Sequence, residues 1–300
     1  MLDYVNTPTQ VFNTDHGIIN SFMDETNDNI DLNTVNSFGE EWEKFNIFSD
    51  EEIRNIGEDY FDIVPWDSLS RESIALDIGC GSGRWAKYVA SKLGFVEAID
   101  PSKAAFIASE FLKKNKNIRV SIADIDRIPF KTESFDLVYS LGVLHHIPDT
   151  EKALHASAKM VKKGGYFLVY LYYALDNRGS FFKFIFKLSH LIRLMVSTLP
   201  AKAKKITCDF LAIVIYAPLI NLSKLFAIVG LEKLSEKIPL SYYKKTSWNI
   251  VRNDSLDRFG TPLEQRFTKD RIELMMINAG LTNIVFSKNK PYWHAIGQKK

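Results

Sequence analysis

Between Ile74 and Tyr173 the chain repeats one pattern, a short apolar run, a turn, then a stretch of helical length. Ile74–Ile78, Val96–Ile99, Arg119–Ile122, Phe135–Ser140 and Tyr166–Tyr173 read as strands, being brief runs rich in branched and aromatic residues. Trp85–Leu93, Ala104–Lys114 and a segment near Thr150–Val161 read as the helices between them. Parallel strands need a crossover, and a helix is the usual one, so the alternation predicts a parallel sheet with helices on both faces. After the fifth strand the rhythm breaks, then resumes with a helix capped by Thr268 and strands at Asn283–Ser287 and Trp293–Gly297. The intervening segment is expected to be an insertion into the α/β domain.

The 300 residues, 46% hydrophobic and 25% charged, suffice for a real core. A formal net charge of +2 argues against a strongly basic nucleic-acid binder on bulk charge. The charge is unevenly placed. Residues 1–60 hold fourteen Asp and Glu against Lys44 and Arg54, whereas 181–245 hold eleven Lys and Arg against Asp209, Glu232 and Glu236. The longest uncharged run, Phe210–Ser223, contains Pro218. It is shorter than the ~20 apolar residues a bilayer-crossing helix needs, so no spanning segment is expected. The polar, acidic start does not read as a signal peptide. Two cysteines, Cys80 and Cys208, suit a reducing compartment, and a cytoplasmic protein is expected. No metal-ligating cluster is visible.

Five segments follow. Residues 1–33, polar and acidic, read as a mobile arm. Residues 34–70 read as a helical cap of two short helices, the second capped by Ser49. Residues 71–175 form the core, 176–250 the helical insertion, and 251–300 complete the core.

The chemistry is concentrated in Leu76-Asp77-Ile78-Gly79-Cys80-Gly81-Ser82-Gly83. Glycines crowd the first strand-to-helix turn, where positive φ and close approach of backbone to a ligand are needed. Open α/β sheets bind nucleotides at that position. The spacing is G-x-G-x-G and not the dinucleotide G-x-G-x-x-G, and Asp77 at the mouth suits a cation better than a pyrophosphate. Asp100, at the end of the second strand, can accept ribose hydroxyls. Asp124, after the third, can accept an adenine amino group while a neighbouring backbone N–H meets a ring nitrogen. A cationic centre, a ribose and an adenine together describe S-adenosylmethionine.

LDIGCGSG (76–83), AID (98–100), ADI (123–125) with IPF (128–130), FDLVYSLGVLHHI (135–147) and KKGGYFLVY (162–170) resemble the class I SAM-dependent methyltransferases, in their ubiquinone/menaquinone-methyltransferase-like branch. The resemblance implies a Rossmann-like, seven-stranded, mostly parallel sheet of order 3-2-1-4-5-7-6 with a helical insertion after strand five. It also implies a cofactor site lined by Asp77, Gly79, Gly81, Gly83, Asp100, Pro101, Asp124, Ile125, Ser140 and Leu141.

Methyl transfer from a sulfonium is an in-line displacement, so alignment can contribute roughly 7–11 kcal/mol. A general base adds about 10²–10⁴-fold where the acceptor must lose a proton. His145 and His146 are the candidates for that role, with Tyr172, Tyr173, Trp42, Asp257 and Arg258 as candidate acceptor contacts. A His-His pair past a strand also serves simply to pack the next helix, and Trp42 to pack its own. Lys183, Lys187, His190 and Arg193 form a basic stripe along 181–199, whose apolar residues include Phe184, Leu188 and Met195. The resemblance implies a substrate cap there, and a peripheral membrane contact is the second reading. The expected acceptor is small or amphiphilic and the expected partners include no nucleic acid. A nucleic-acid or protein methyltransferase and a non-catalytic SAM-binding regulator are the alternatives.

Overall fold

The computed structural model describes residues 1–24, 29–44, 48–176 and 179–300. They form two units, Met1–Asn177 with Leu263–Lys300, and Arg178–Pro262. Along the chain come β1 (Gln10–Thr14), β2 (Gly17–Ser21), α1 (Leu32–Lys44), α2 (Asp50–Tyr60), β3 (Ile74–Ile78), α3 (Arg84–Ala90), β4 (Phe95–Asp100), α4 (Ala104–Phe111), β5 (Ile118–Ile122), β6 (Phe135–Leu141), α5 (Thr150–Lys159) and β7 (Val161–Tyr170). The second unit holds α6 (Ser180–Val196), α7 (Ala201–Leu211), α8 (Ala217–Ile228), α9 (Glu232–Ser235) and α10 (Trp248–Gly260). The chain then closes the first unit with α11 (Lys269–Asn278), β8 (Leu281–Phe286) and β9 (His294–Lys299).

Among the described residues the sheet has nine strands rather than the expected seven, in the order β1-β2-β5-β4-β3-β6-β7-β9-β8. The five central strands from β5 to β7 are parallel, and β9 runs antiparallel to both β7 and β8. The additional strands come from residues expected to form a mobile arm. β1 and β2 make a hairpin, and β2 extends the sheet beside β5 through Asn20↔Ser121 and Ser21↔Ile122.

A buried ion pair fixes that edge. Glu97 is fully buried in β4 and takes two hydrogen bonds from Arg119, at 2.8 and 2.7 Å. The Leu2 N–H donates to Glu97 Oε1 at 3.1 Å, Arg119 also donates to the Leu2 carbonyl, and its guanidinium lies 4.1 Å over the Tyr4 ring. Each charge is thereby both paired and hydrogen-bonded, the condition for burying it.

Alternation along the strands distributes the core to two faces. Ala75, Leu137, Tyr139 and Leu168 face α2, α3 and α4, packing with Ile53, Trp85, Val89 and Ala108. Leu76, Val138, Phe167 and Val169 face α5 and α11, packing with Leu154, Ile272 and Met276. The Ser49 side chain accepts from the Glu52 N–H at 3.1 Å while Glu52 accepts from Ser49, a capping box that starts α2.

The helical unit runs to Pro262, so α10 belongs to it and not to the returning core. Asp257 and Arg258 therefore sit on a helix of that unit rather than on a loop at the sheet edge. Thr261 Oγ1 donates to Asp257 at 3.3 Å, and the Arg258 guanidinium lies 5.9 Å over Phe186. The expected basic stripe of α6 is broken, because Arg193 is buried and donates to the Thr261 and Pro262 carbonyls at 2.9 and 2.8 Å.

Pro218 does not interrupt its helix. Ala212–Tyr216 forms a π turn in which the Ala217 N–H reaches the Ala212 carbonyl, and Pro218 follows in the first turn of α8. That widening relieves the clash a proline makes with the preceding turn. Lys202–Ile228 is thus one helix of 27 residues, long and apolar enough to cross a membrane by length and composition, contrary to the sequence expectation.

Candidate active site

β3 ends in a turn built on glycine. Gly79, Gly81 and Gly83 have φ of +75°, +53° and +83°. At Gly79 a Cβ would also come within 2.5 Å of the Val143 side chain, so only glycine fits. The Gly79 and Cys80 N–H groups donate to the Ile99 carbonyl at 2.8 and 3.0 Å, and Gly81 N–H donates to Asp100 Oδ2 at 2.9 Å. The turn is thereby held against the end of β4, at the carboxyl edge of the parallel strands where such sheets bind ligands.

Asp100 is buried, its Oδ1 accepting from the Ser102 backbone and hydroxyl at 2.9 and 2.6 Å. Burial pushes its carboxyl above the usual range, opposed by the Ser102 and Gly81 hydrogen bonds. Each oxygen of a carboxylate has two lone pairs, so acceptor capacity remains for a ribose. Pro101 is half-buried beside it. Asp124 is buried too; Oδ1 accepts from the Asp126 N–H at 2.9 Å while Oδ2 has no partner among the described residues. Ile125 packs into the core with Phe22 and Phe130. The Ser140 hydroxyl turns inward to the Ile78 carbonyl at 2.9 Å, tying β6 to β3, and Leu141 is buried at the strand end.

Asp77 and Tyr139 are opposite each other on β3 and β6. Burial pushes the Asp77 carboxyl up to about 8; the nearby Tyr139 hydroxyl opposes the rise and the charge of Asp100 adds to it. Asp77 and Tyr139 are close enough to influence each other, though among the described residues neither Asp77 Oδ2 nor the Tyr139 hydroxyl makes a well-aligned hydrogen bond. Cys80 is inert, since burial and then the charges of Asp100 and Asp77 push its thiol well up.

Past β6, the His145 ring is fully buried, 3.9 Å from the Tyr172 ring and 4.1 Å from that of His146. Neither ring nitrogen of His145 has a partner among the described residues. Burial, then the charges of His146 and Arg266, hold its pKa well below the usual range, so the imidazole is neutral. His146 is placed differently. Its Nδ1 meets the Leu263 carbonyl at 2.7 Å, which sets the Nδ1–H form, and Phe38 packs edge-on at 4.8 Å. The structure therefore separates the pair: His145 is buried with both ring nitrogens unpartnered among the described residues, and His146 is held through Nδ1.

Tyr172 and Tyr173 point to opposite sides, as successive residues of an extended chain do. Tyr172 stacks on His145 and lies under the Arg266 guanidinium at 5.1 Å, whereas Tyr173 packs on Tyr292 and Trp293 at 5.8 and 6.4 Å. The side chain of Trp42 lies outside the described residues. Sequence reasoning missed Tyr60, which packs on Trp85 at 5.0 Å and Tyr170 at 5.3 Å, and the buried pair Arg266–Glu264 at 2.8 Å. The charged Glu264-Gln265-Arg266 triplet before Thr268 was the available signal for the latter.

Among the described residues, Asp77 Oδ2, Ser82 Oγ, Asp124 Oδ2 and both His145 nitrogens are thus buried without a hydrogen-bond partner around one sheet edge. Leaving such a group without a partner costs about 1–3 kcal/mol, so their grouping marks a place shaped for a polar ligand. Acceptors at the turn, at the end of β4 and after β5 fit a cation, a ribose and a purine amine in that order.

The fold and the arrangement of the site are similar to those expected of a methyltransferase domain. Residues 76–169 match the family model described as "Methyltransferase domain". That segment is similar to methyltransferase domains, ubiquinone biosynthesis O-methyltransferases among them. The chain is 43% identical over 101 residues to phosphoethanolamine N-methyltransferase 2 of Caenorhabditis elegans, covering 32% of this chain and 23% of that protein. It is 36% identical over 94 residues to ubiquinone biosynthesis O-methyltransferase of Alkalilimnicola ehrlichii, covering 30% and 38%. Among solved structures, Haemonchus contortus phosphoethanolamine N-methyltransferase 2 with S-adenosyl-L-methionine aligns over 78% of this chain and 38% of that one, at 18% identity and a TM-score of 0.43. The chain spans only a minor part of the length of these relatives.

Proposed function

We propose that this chain transfers a methyl group from S-adenosylmethionine to a small or amphiphilic acceptor, mainly by holding the two in line. The observation that carries this reading is the set of unsatisfied buried acceptors around the glycine turn. Asp77 holds the amino-acid end of the cofactor, and the absence of a side chain at Gly79, Gly81 and Gly83 lets it approach the backbone. Asp100 takes the ribose and Asp124 the adenine amine, with Pro101, Ile125, Leu141 and the β6 backbone at Ser140 as walls. The bound cofactor supplies an electrophilic methyl on a sulfonium.

On the acceptor side, the neutral His145 imidazole offers one nitrogen as an acceptor, and its stack on Tyr172 fixes the ring. It accepts a proton where the acceptor must lose one. His146 positions it, and the Arg266–Glu264 pair sets the charge nearby.

Acceptor choice belongs to the rest of the chain. An N-methyltransferase and an O-methyltransferase each match about a third of this chain, so the likeness does not single out one acceptor. The helical unit lies outside the matched residues. The test is release of S-adenosylhomocysteine by the purified chain against a panel of soluble and amphiphilic acceptors. Turnover with an amphiphile, lost in Asp100→Ala, is expected; no release with any acceptor class would overturn the reading.

A further inference from the structure

The long helix of the second unit is amphipathic in the inverted sense. Its inner face carries small and polar groups. Cys208, Ala212, Tyr216, Ile220 and Ser223 are buried, and polar contacts hold that face. Asp209 takes Arg252 through two 2.8 Å bonds, the Tyr216 hydroxyl donates to Asp254 at 2.9 Å, and the Ser255 hydroxyl donates to the Cys208 carbonyl at 2.7 Å. The outer face carries the large apolar side chains. Phe210 is 60% exposed, Ile213 58%, Leu225 54% and Val229 57%.

These residues form one stripe. At about 100° per residue, with one residue absorbed by the π turn, Ile206, Phe210, Ile213, Leu222, Leu225 and Val229 fall within an arc of about 80°. Without that turn the second half of the stripe would swing away by about 100°. The stripe is about 35 Å long. α6 adds Phe184, Leu188, Leu191 and Met195, spaced one helical turn apart and all exposed. A soluble surface rarely leaves so much contiguous apolar area in water.

Charge identifies the occupant. Between Arg178 and Pro262 there are fourteen Lys and Arg against five Asp and Glu, and Lys187, Lys202, Lys224, Lys233 and Lys237 are exposed. An apolar stripe with flanking cations matches an interface rich in anionic lipid. A helix crossing the bilayer would carry Asp209 with Arg252, and Tyr216 with Asp254, into hydrocarbon, so the helix lies in the plane of the interface.

We infer that the helical unit docks on an anionic bilayer through the outer face of Lys202–Ile228, laying Phe210 and Ile213 into the headgroup boundary. This goes beyond the proposed methyl transfer and its test needs no turnover. The probe is co-sedimentation of the full chain with phosphatidylcholine vesicles containing phosphatidylglycerol, against phosphatidylcholine alone. Binding to the anionic vesicles is expected to be at least tenfold stronger, to weaken with salt and to be released by sodium carbonate. Phe210→Glu and Ile213→Glu each cut partitioning at least tenfold with an unchanged melting temperature, and Lys202→Gln and Lys224→Gln each cut it about fivefold. Three results would overturn the inference: no binding to anionic vesicles, undiminished binding by the Glu variants, or retention through carbonate, which means a spanning helix. Sedimentation as a dimer, abolished by Ile213→Glu while lipid binding persists, would assign the stripe to a second copy instead.

Discussion

At the scale of residues, Asp77 and His145 carry the sharpest consequences, because both are buried and titratable. The Asp77 carboxyl, raised to about 8 by burial, keeps its proton in the folded chain at pH values where the unfolded chain has lost it. Stability of the ligand-free protein therefore falls as pH rises from about 4 to about 8. Asp77→Asn removes that slope, and its melting temperature at pH 8 should exceed wild type by about 2 °C or more. A cation at this mouth favours the ionised carboxylate, so cofactor binding at pH 7 should release up to one proton. Titration calorimetry in buffers of different ionisation enthalpy reads this directly; the release should vanish in Asp77→Asn, along with affinity. His145 has the opposite sign. Its depressed pKa means the unfolded state takes up a proton first, so stability contributed by the neutral ring is lost as pH falls below about 6.5. His145→Gln should lower kcat by about 10²–10⁴-fold with cofactor affinity unchanged, if acceptor deprotonation limits the rate. Equal kcat in both proteins would reduce His145 to packing.

At the scale of elements, the N-terminal hairpin and the long helix show where sequence reasoning stops. The strand–helix alternation and the glycine turn were legible because each is a local signal, an apolar run meeting a turn residue. β1 and β2 were not, since Gln10–Thr14 and Gly17–Ser21 offer only two apolar residues apiece. Their order comes from an edge more than a hundred residues away and from Glu97 and Arg119, whose pairing no local pattern announces. Arg119→Met tests that anchor. It leaves the Glu97 carboxylate buried and unpaired, which should cost about 3–5 kcal/mol in urea unfolding. The double variant Glu97→Gln with Arg119→Met should recover much of the loss. Pro218 misled for the converse reason. It is a helix breaker when the preceding turn is α-helical, and the π turn over Ala212–Tyr216 removes that condition. Tyr172 and Tyr173, adjacent in sequence, were divided by strand geometry, and that division was decidable only once the packing on His145 and Trp293 was known.

At the scale of the whole molecule, the net charge of +2 is the sum of unlike parts. The acidic residues of the N-terminal segment stand with the cofactor unit, while the helical unit carries the positive charge and the exposed apolar stripe. The division of labour follows that partition. One unit holds a cofactor whose site is readable in glycines and carboxylates, because a fixed ligand demands fixed groups. The other unit is marked by exposed apolar and basic side chains, features of composition more than motif, which leave no signature naming a molecule. The central claim is that the turn at Gly79–Gly83 with Asp100 and Asp124 is built for S-adenosylmethionine. Isothermal titration of the full chain with that cofactor tests it most directly. Saturable one-to-one binding is predicted, weakened at least tenfold in Asp100→Ala and in Asp124→Ala with folding intact; no binding by wild type, or undiminished binding by both variants, would contradict it.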